Sequence, residues 1–309
     1  MRAAPVQEGR NRLDACGNQG VQRKARWNRE ETDADSWGGD LSLGGAQMGG
    51  ISELVRRVSE IRNLAEFAGH SIYFRGQRKQ DKLLPHLMRH SDKMRGKKEN
   101  NLYCNCWVMG CQEFRTAHNS WEVLGIMQHH GIPTRLLDWT SSLINAVYFA
   151  ICDCQDCEAQ CHKRPDAGRR EGCHGNPVVW LLAPKRMHEF LASPPNLTAF
   201  TIGIDSVQDY AEVFVRTNTQ EIWNYQDGPI FVEIPWNDPR MKSQKGYFTF
   251  HADDRPLEEI RPESVRCIEI DNEWKSEILD EFDAMGISEY DVFADLESLS
   301  RHLRRSYAL

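Results

Sequence analysis

No stretch of the 309 residues approaches the roughly 20 consecutive apolar side chains that a bilayer-spanning helix requires. No continuous apolar segment marks the first residues as a secretory signal. Positive charge is not in excess: 38 Lys and Arg stand against 45 Asp and Glu, a formal net charge of −7. A field of that sign does not recruit nucleic acid, so any such contact needs a local basic patch. No internal repeat is visible. These absences leave a soluble, cytoplasmic protein with no membrane partner as the expectation. The 40% hydrophobic and 27% charged composition is that of an ordinary globular chain.

Cysteine is not scarce. The chain has ten, and an intracellular protein of this size is not expected to build a disulfide framework from them. Half crowd into CDCQDCEAQCHKRPDAGRREGCHG, with His162 and His174. Cys154 and Cys157 form a C-x-x-C pair, and Cys161 and Cys173 extend the set. Soft ligands at this density suit a structural, tetrahedral zinc ion. The competing reading is a reduced insert whose thiols are incidental.

Residues 1–50 have almost no apolar periodicity and end in SWGGDLSLGGAQMGG, which reads as a disordered leader. Ile51, Leu54, Val55, Val58 and Ile61 then fall at helical spacing. SIYFRG (71–76) reads as a strand, and LLPHLMR (83–89) as a turn or helix entry around Pro85. Helices are expected over 101–118 and 120–130, the second stopped by Gly131 and Pro133. Asp138, Thr140 or Ser141 is placed to cap a helix carrying Leu143, Ala146, Val147 and Ala150. Strands are expected at 177–183, 228–235, 246–251 and 265–270. Two closing helices carry Trp274, Ile278, Phe282 and Met285, then Leu296, Leu299 and Leu303. Early helices followed by clustered strands predict an α+β domain.

The chemistry concentrates in QHHGIPTRLLDWTSS (128–142). Arg75, at the end of a strand, offers a bidentate guanidinium to phosphate or carboxylate, and Gly76 lets a ligand approach the backbone. The bland alternative for Arg75 is a structural ion pair. His129 and His130 point in different directions on a helix, so one lines a pocket with Gln128 while the other caps or packs. Arg135 and Asp138 flank two leucines. Trp139 either packs the core or stacks on a flat ring. Thr140, Ser141 and Ser142 place hydroxyls at a helix N-terminus, a seat for an anion. Gln244 precedes a glycine and an aromatic strand, as a turn residue or a cleft residue.

In order, YFRGQ (73–77), LLPHLMR (83–89), MQHHGIPTRLLDWT (127–140), AVYFA (146–150), VVWLL (178–182), SQKGYFTFH (243–251) and the closing helices resemble the FRG domain family, named for its Phe-Arg-Gly motif. The resemblance spans residues 51–305, with the Cys-rich insert at 152–176 as an addition. It implies a single mixed domain of a kind often seen in mobile-element or phage-defence systems. A second resemblance is to ADP-ribosyltransferases of the Arg–Ser–Glu type. Arg75, then Thr140-Ser141-Ser142 ahead of AVYFA, then Gln244 ahead of GYFTF keep that family's order. It implies a small core sheet flanked by helices, NAD as cofactor, and a toxin-like effector acting on a nucleic-acid or protein acceptor. Arg75 would hold the pyrophosphate, Thr140 and Ser141 would support the nicotinamide ribose, and a histidine of the 129–130 pair or Trp139 would wall the ring. Gln244 stands where that family has Glu and carries no charge for its electrostatic role; Glu221 and Glu233 are the other candidate carboxylates. Two readings compete with the transferase. One is a non-catalytic nucleotide or nucleic-acid module using the basic stretches 90–98 and 162–170. The other is a metal-dependent hydrolase built on His129, His130 and Asp138.

Overall fold

Seven strands form one mixed sheet in the computed structural model, which describes residues 49–89, 95–151, 176–189, 198–216, 223–225 and 228–307. The strands are β1 (Tyr73–Gln77), β2 (Leu136–Thr140), β3 (Val178–Leu182), β4 (Phe200–Thr201), β5 (Ile230–Glu233), β6 (Gly246–Phe250) and β7 (Val265–Glu269). Across the sheet they run β4-β5-β6-β2-β1-β3-β7. Only the β4–β5 pair is parallel. The α-helices are α1 (Gly50–Asn63), α2 (Arg95–Met109), α3 (Ser120–His129), α4 (Leu143–Ile151), α5 (Pro184–His188), α6 (Pro239–Gln244), α7 (Leu257–Ile260), α8 (Trp274–Ala284), α9 (Glu289–Phe293) and α10 (Leu296–Ser306). All lie within the compact unit Gln47–Leu309. The α+β class, a core sheet flanked by helices, is as the sequence predicts.

The sheet is two halves joined at a seam. β2 pairs with β6 over five residue pairs, and β1 with β3 over five. Between β1 and β2 the register is a single pair, Phe74 with Thr140. Strand alternation sends successive side chains to opposite faces. On one face Tyr73, Leu137, Trp139, Trp180, Leu182 and Phe231 form a core that crosses the seam. On the other face the core is divided. Leu136, Phe248 and Phe250 pack with α3, while Phe74, Val179 and Leu181 pack with α1, α4 and α8. The gap between these two cores lies over the seam.

Several boundaries differ from the sequence reading. α2 begins at Arg95 and ends at Met109, and turns replace the expected helix over 111–116. Gly110, a poor helix former, stands at the early stop. α3 ends where Gly131 allows it. At φ +77° Gly131 donates to the Gln128 carbonyl, and Ile132 donates to that of Met127, closing a Schellman motif. Ser142 caps α4, its hydroxyl accepting from the Asn145 amide at 3.3 Å; Asp138 and Thr140 belong to β2 instead. On α10, Leu296 and Leu303 are exposed, so that apolar stripe does not face the core. The expected leader (apart from residues 49–50), residues 152–175 with Cys154, Cys157, Cys161 and Cys173, and Glu221 lie outside the described residues.

Candidate functional site

A cavity of about 760 Å³ opens at the seam, between the two divided cores. One wall is the C-terminal end of α3 (Gln128, His129) with His130 and Gly131, and α6 with Arg240, Met241 and Gln244. The opposite wall is Phe74, Gly76 and Phe149, and the mouth carries Arg78, Lys79, Asp81 and Arg89. The floor is β2, from Asp138 to Thr140.

Arg75 stands in the seam itself. Its Nη1 donates to the Asp138 main-chain carbonyl at 2.9 Å and lies 3.6 Å from Asp138 Oδ2. A continuous ladder would supply a backbone amide to that carbonyl; here a guanidinium takes its place. The arrangement leaves Arg75 Nε buried with no hydrogen-bond acceptor among the described residues. Burial pushes the guanidinium pKa down from its ordinary value, against the pull of Asp138.

Asp138 is held by a relay. Leu136 N donates to Thr134 Oγ1 at 3.0 Å, Thr134 Oγ1 donates to Gln128 Oε1 at 2.6 Å, and Gln128 Nε2 donates to Asp138 Oδ2 at 2.7 Å. The side chain keeps 51% of its surface exposed in the cleft. Burial of the carboxyl within the cleft raises its pKa, and Arg75 and Gln128 oppose the rise.

Two further donors on residues that line the cleft lack acceptors among the described residues: Gln244 Nε2 and Arg240 Nε. The Arg240 guanidinium sits over the Phe293 ring, 4.6 Å from its centroid. His129 is almost fully buried, and its Nε2 also lacks a hydrogen bond. Burial, then the charge of Arg240, pull its pKa down to about 4. It is neutral at pH 7, so Asp238 Oδ1, 3.4 Å away, is not its ion-pair partner there. The cleft as a whole is cationic in an acidic protein: Arg75, Arg78, Lys79, Arg89 and Arg240 line it against Asp81 and Asp138.

The fold thus brings Arg75, Gly76, Gln128, His129, His130, Asp138, Trp139, Thr140 and Gln244 to one cleft, and gives several expected residues structural work as well or instead. Gly76 lines the cavity and also accommodates a helix: a Cβ there would clash with the α4 backbone at Ala146 and Ala150. Arg135 is fully buried away from the cleft. Its Nε and Nη2 bind Glu99 at 2.5 and 2.7 Å, and Tyr210 donates to the same carboxylate at 2.6 Å. Its placement just before β2 turns it toward α2. Trp139 borders the floor, but its buried ring belongs to the continuous core and its Nε1 donates to Thr249 Oγ1 at 3.1 Å. Thr140 Oγ1 donates to the Gln244 carbonyl at 2.6 Å and accepts from Ser142 N at 3.0 Å. That hydroxyl ties α6 to α4. Ser141 is exposed, pairs with Tyr247 and does not line the cavity. Glu233 accepts from Thr201 Oγ1 at 3.2 Å and also lies outside the lining. Among the described residues no three His, Cys, Asp or Glu side chains are grouped to hold a metal; His129, His130 and Asp138 share the cavity lining.

Sequence reasoning missed Thr134 and Arg240, and also Arg78, Lys79, Asp81 and Arg89. The signal for Arg240 was present in Asp238-Pro239: Asp238 caps α6 through Arg240 N at 2.8 Å, and proline takes the first helical position. Thr134 carried no comparable signal, because its role depends on a helix and a strand meeting.

The fold and site therefore define an α+β protein with a cationic, donor-rich cleft at a sheet seam. It carries an FRG domain: the family model of that description matches residues 70–159. That segment includes β1, α3, β2 and α4, with Arg75, Gln128 and Asp138, while the wall formed by Arg240 and Gln244 lies outside it. No curated protein and no solved structure gives a significant match to the chain.

Proposed function

We propose that the cleft binds an anionic nucleotide of the NAD class, with Arg75 taking its phosphate. The observation that carries this is the set of buried donors on cleft-lining residues, Arg75 Nε, Arg240 Nε and Gln244 Nε2, with no acceptor among the described residues. Buried donors without acceptors are costly, at about 1–3 kcal/mol each, and an anionic ligand that engages these side chains would supply acceptors. The cationic lining supports the same sign of ligand. Two observations favour the non-catalytic nucleotide module over ADP-ribosyl transfer. The Thr140 hydroxyl is engaged by main-chain groups, and Gln244 brings no charge to stabilise a developing cation.

The test is calorimetry of NAD on the full chain and its Arg75→Ala variant. Saturable binding in the first and none in the second, with the fold retained, is expected. Equal affinity in both sinks the reading. Release of nicotinamide from bound NAD would restore the transferase, and with it a toxin or phage-defence effector.

A further inference from the structure

We infer that Asp138 is the residue through which the cleft recognises a sugar hydroxyl, so that its ligand is a phosphorylated sugar, nucleotides included, and not a bare phosphate or polyphosphate. The inference rests on the anionic-ligand reading above and narrows it.

Among the described residues two carboxylates line the cleft. Asp81 is already engaged: it accepts from Arg89 and, at 2.8 Å, from the Lys82 amide. Asp138 is different. The relay from Leu136 N through Thr134 and Gln128 fixes its orientation from below, and half of its side chain stays open to the cavity. A carboxylate 3.6 Å from Arg75 has no use in a site whose whole task is anion capture. It offsets the guanidinium's attraction for phosphate and repels the ligand itself. It has a use where the ligand carries a hydroxyl beside its phosphate. A carboxylate accepts from a hydroxyl in a strong, charge-assisted bond. Dinucleotide sites divide the work in this way, an acid taking ribose while donors take phosphate.

Three cleft-lining residues that carry unpaired buried donors, beside one oriented acceptor, make a polarised cleft. The seam places the two functions side by side, because Arg75 on β1 and Asp138 on β2 are brought together where the ladder is interrupted.

The experiment is calorimetry on the full chain and its Asp138→Asn variant with two probes, NAD and inorganic pyrophosphate. Asparagine keeps the shape and removes the charge. NAD is expected to weaken roughly 10- to 100-fold, while pyrophosphate holds or tightens because the charge beside Arg75 is gone. A shift of both probes in the same direction would make Asp138 a structural counter-ion of Arg75 and overturn the inference, as would unchanged NAD affinity. Failure of the unmodified chain to bind either probe removes the anionic cleft itself, and the inference with it. A second measurement needs no variant. Among NAD analogues each lacking one ribose hydroxyl, at least one should lose a similar factor on the unmodified chain; equal affinity for all of them also overturns the inference.

Discussion

A Cβ placed on Gly76 would lie 1.8 Å from the carbonyl oxygen of Ala146 and 2.8 Å from the amide nitrogen of Ala150. The glycine of the Phe-Arg-Gly motif is therefore the contact on which α4 rests against β1. Backbone atoms cannot yield as a flexible side chain would, so overpacking here exceeds the usual 1–3 kcal/mol range. Gly76→Ala should lower stability by about 3 kcal/mol or more in chemical denaturation. A variant of normal stability that had lost only ligand affinity would return Gly76 to the ligand's side.

The two arginines of the motif region should respond in opposite ways. Arg135 is sealed with Glu99 and Tyr210, and breaking a buried ion pair by removing one partner costs roughly 3–5 kcal/mol. Arg135→Ala and Glu99→Ala should both melt well below the unmodified chain. Arg75→Ala gives up a main-chain hydrogen bond and a long ion pair, both to Asp138, and should melt within a few degrees of it. Equal loss of stability at Arg75 and Arg135 would show that Arg75 is a structural residue.

Gln244→Glu tests the sign of the cleft. The change replaces a buried donor with a charge of the ligand's own sign. Anion affinity, read by calorimetry with pyrophosphate, should fall at least about 10-fold, a penalty of roughly 1.4 kcal/mol. Unchanged affinity would place the anion away from α6.

How far the sequence could be read depends on whether a signal was local. β3, β5, β6 and β7 announced themselves as runs of β-branched and aromatic residues between Gly, Pro and polar breaks, and Gly131 marked the end of α3. The seam was not legible. Nothing in YFRGQ or LLDWT states that these strands meet at one residue pair, because pairing between segments more than sixty residues apart is a tertiary fact. Arg75 and Asp138 stood out as unusual residues for their strands, but their direct contact did not. Arg135 misled for the same reason. A charged residue beside a functional motif looks like part of it until Glu99, 36 positions earlier, is seen to bury it.

Acid should destabilise the fold through buried imidazoles. His129 has its pKa lowered to about 4 and His251 to about 3, both chiefly by burial. In the unfolded chain a histidine titrates near 6.5. Below that pH the unfolded state takes up protons that the folded state refuses. The stability these groups contribute is thus complete above about 6.5 and is lost as pH falls toward 4 for His129 and toward 3 for His251, by up to about 1.4 kcal/mol per pH unit for each. Melting temperatures between pH 7 and 4 should show this slope, and His129→Gln should flatten it. A slope unaltered by that change would mean His129 is not the group responsible.

The single pair Phe74–Thr140 has a mechanical consequence. Each half of the sheet keeps its own helices over the cleft face, and hydrogen bonding between the halves is concentrated at one rung. A sheet joined by one rung over a continuous core on its other face can change the width of its opening without tearing either of the two divided cores, so the amides beside that rung should be the first of the central strands to exchange with solvent. Substitutions along the lips can then reshape what the opening admits while the two flanking layers, which carry the stability, are left alone.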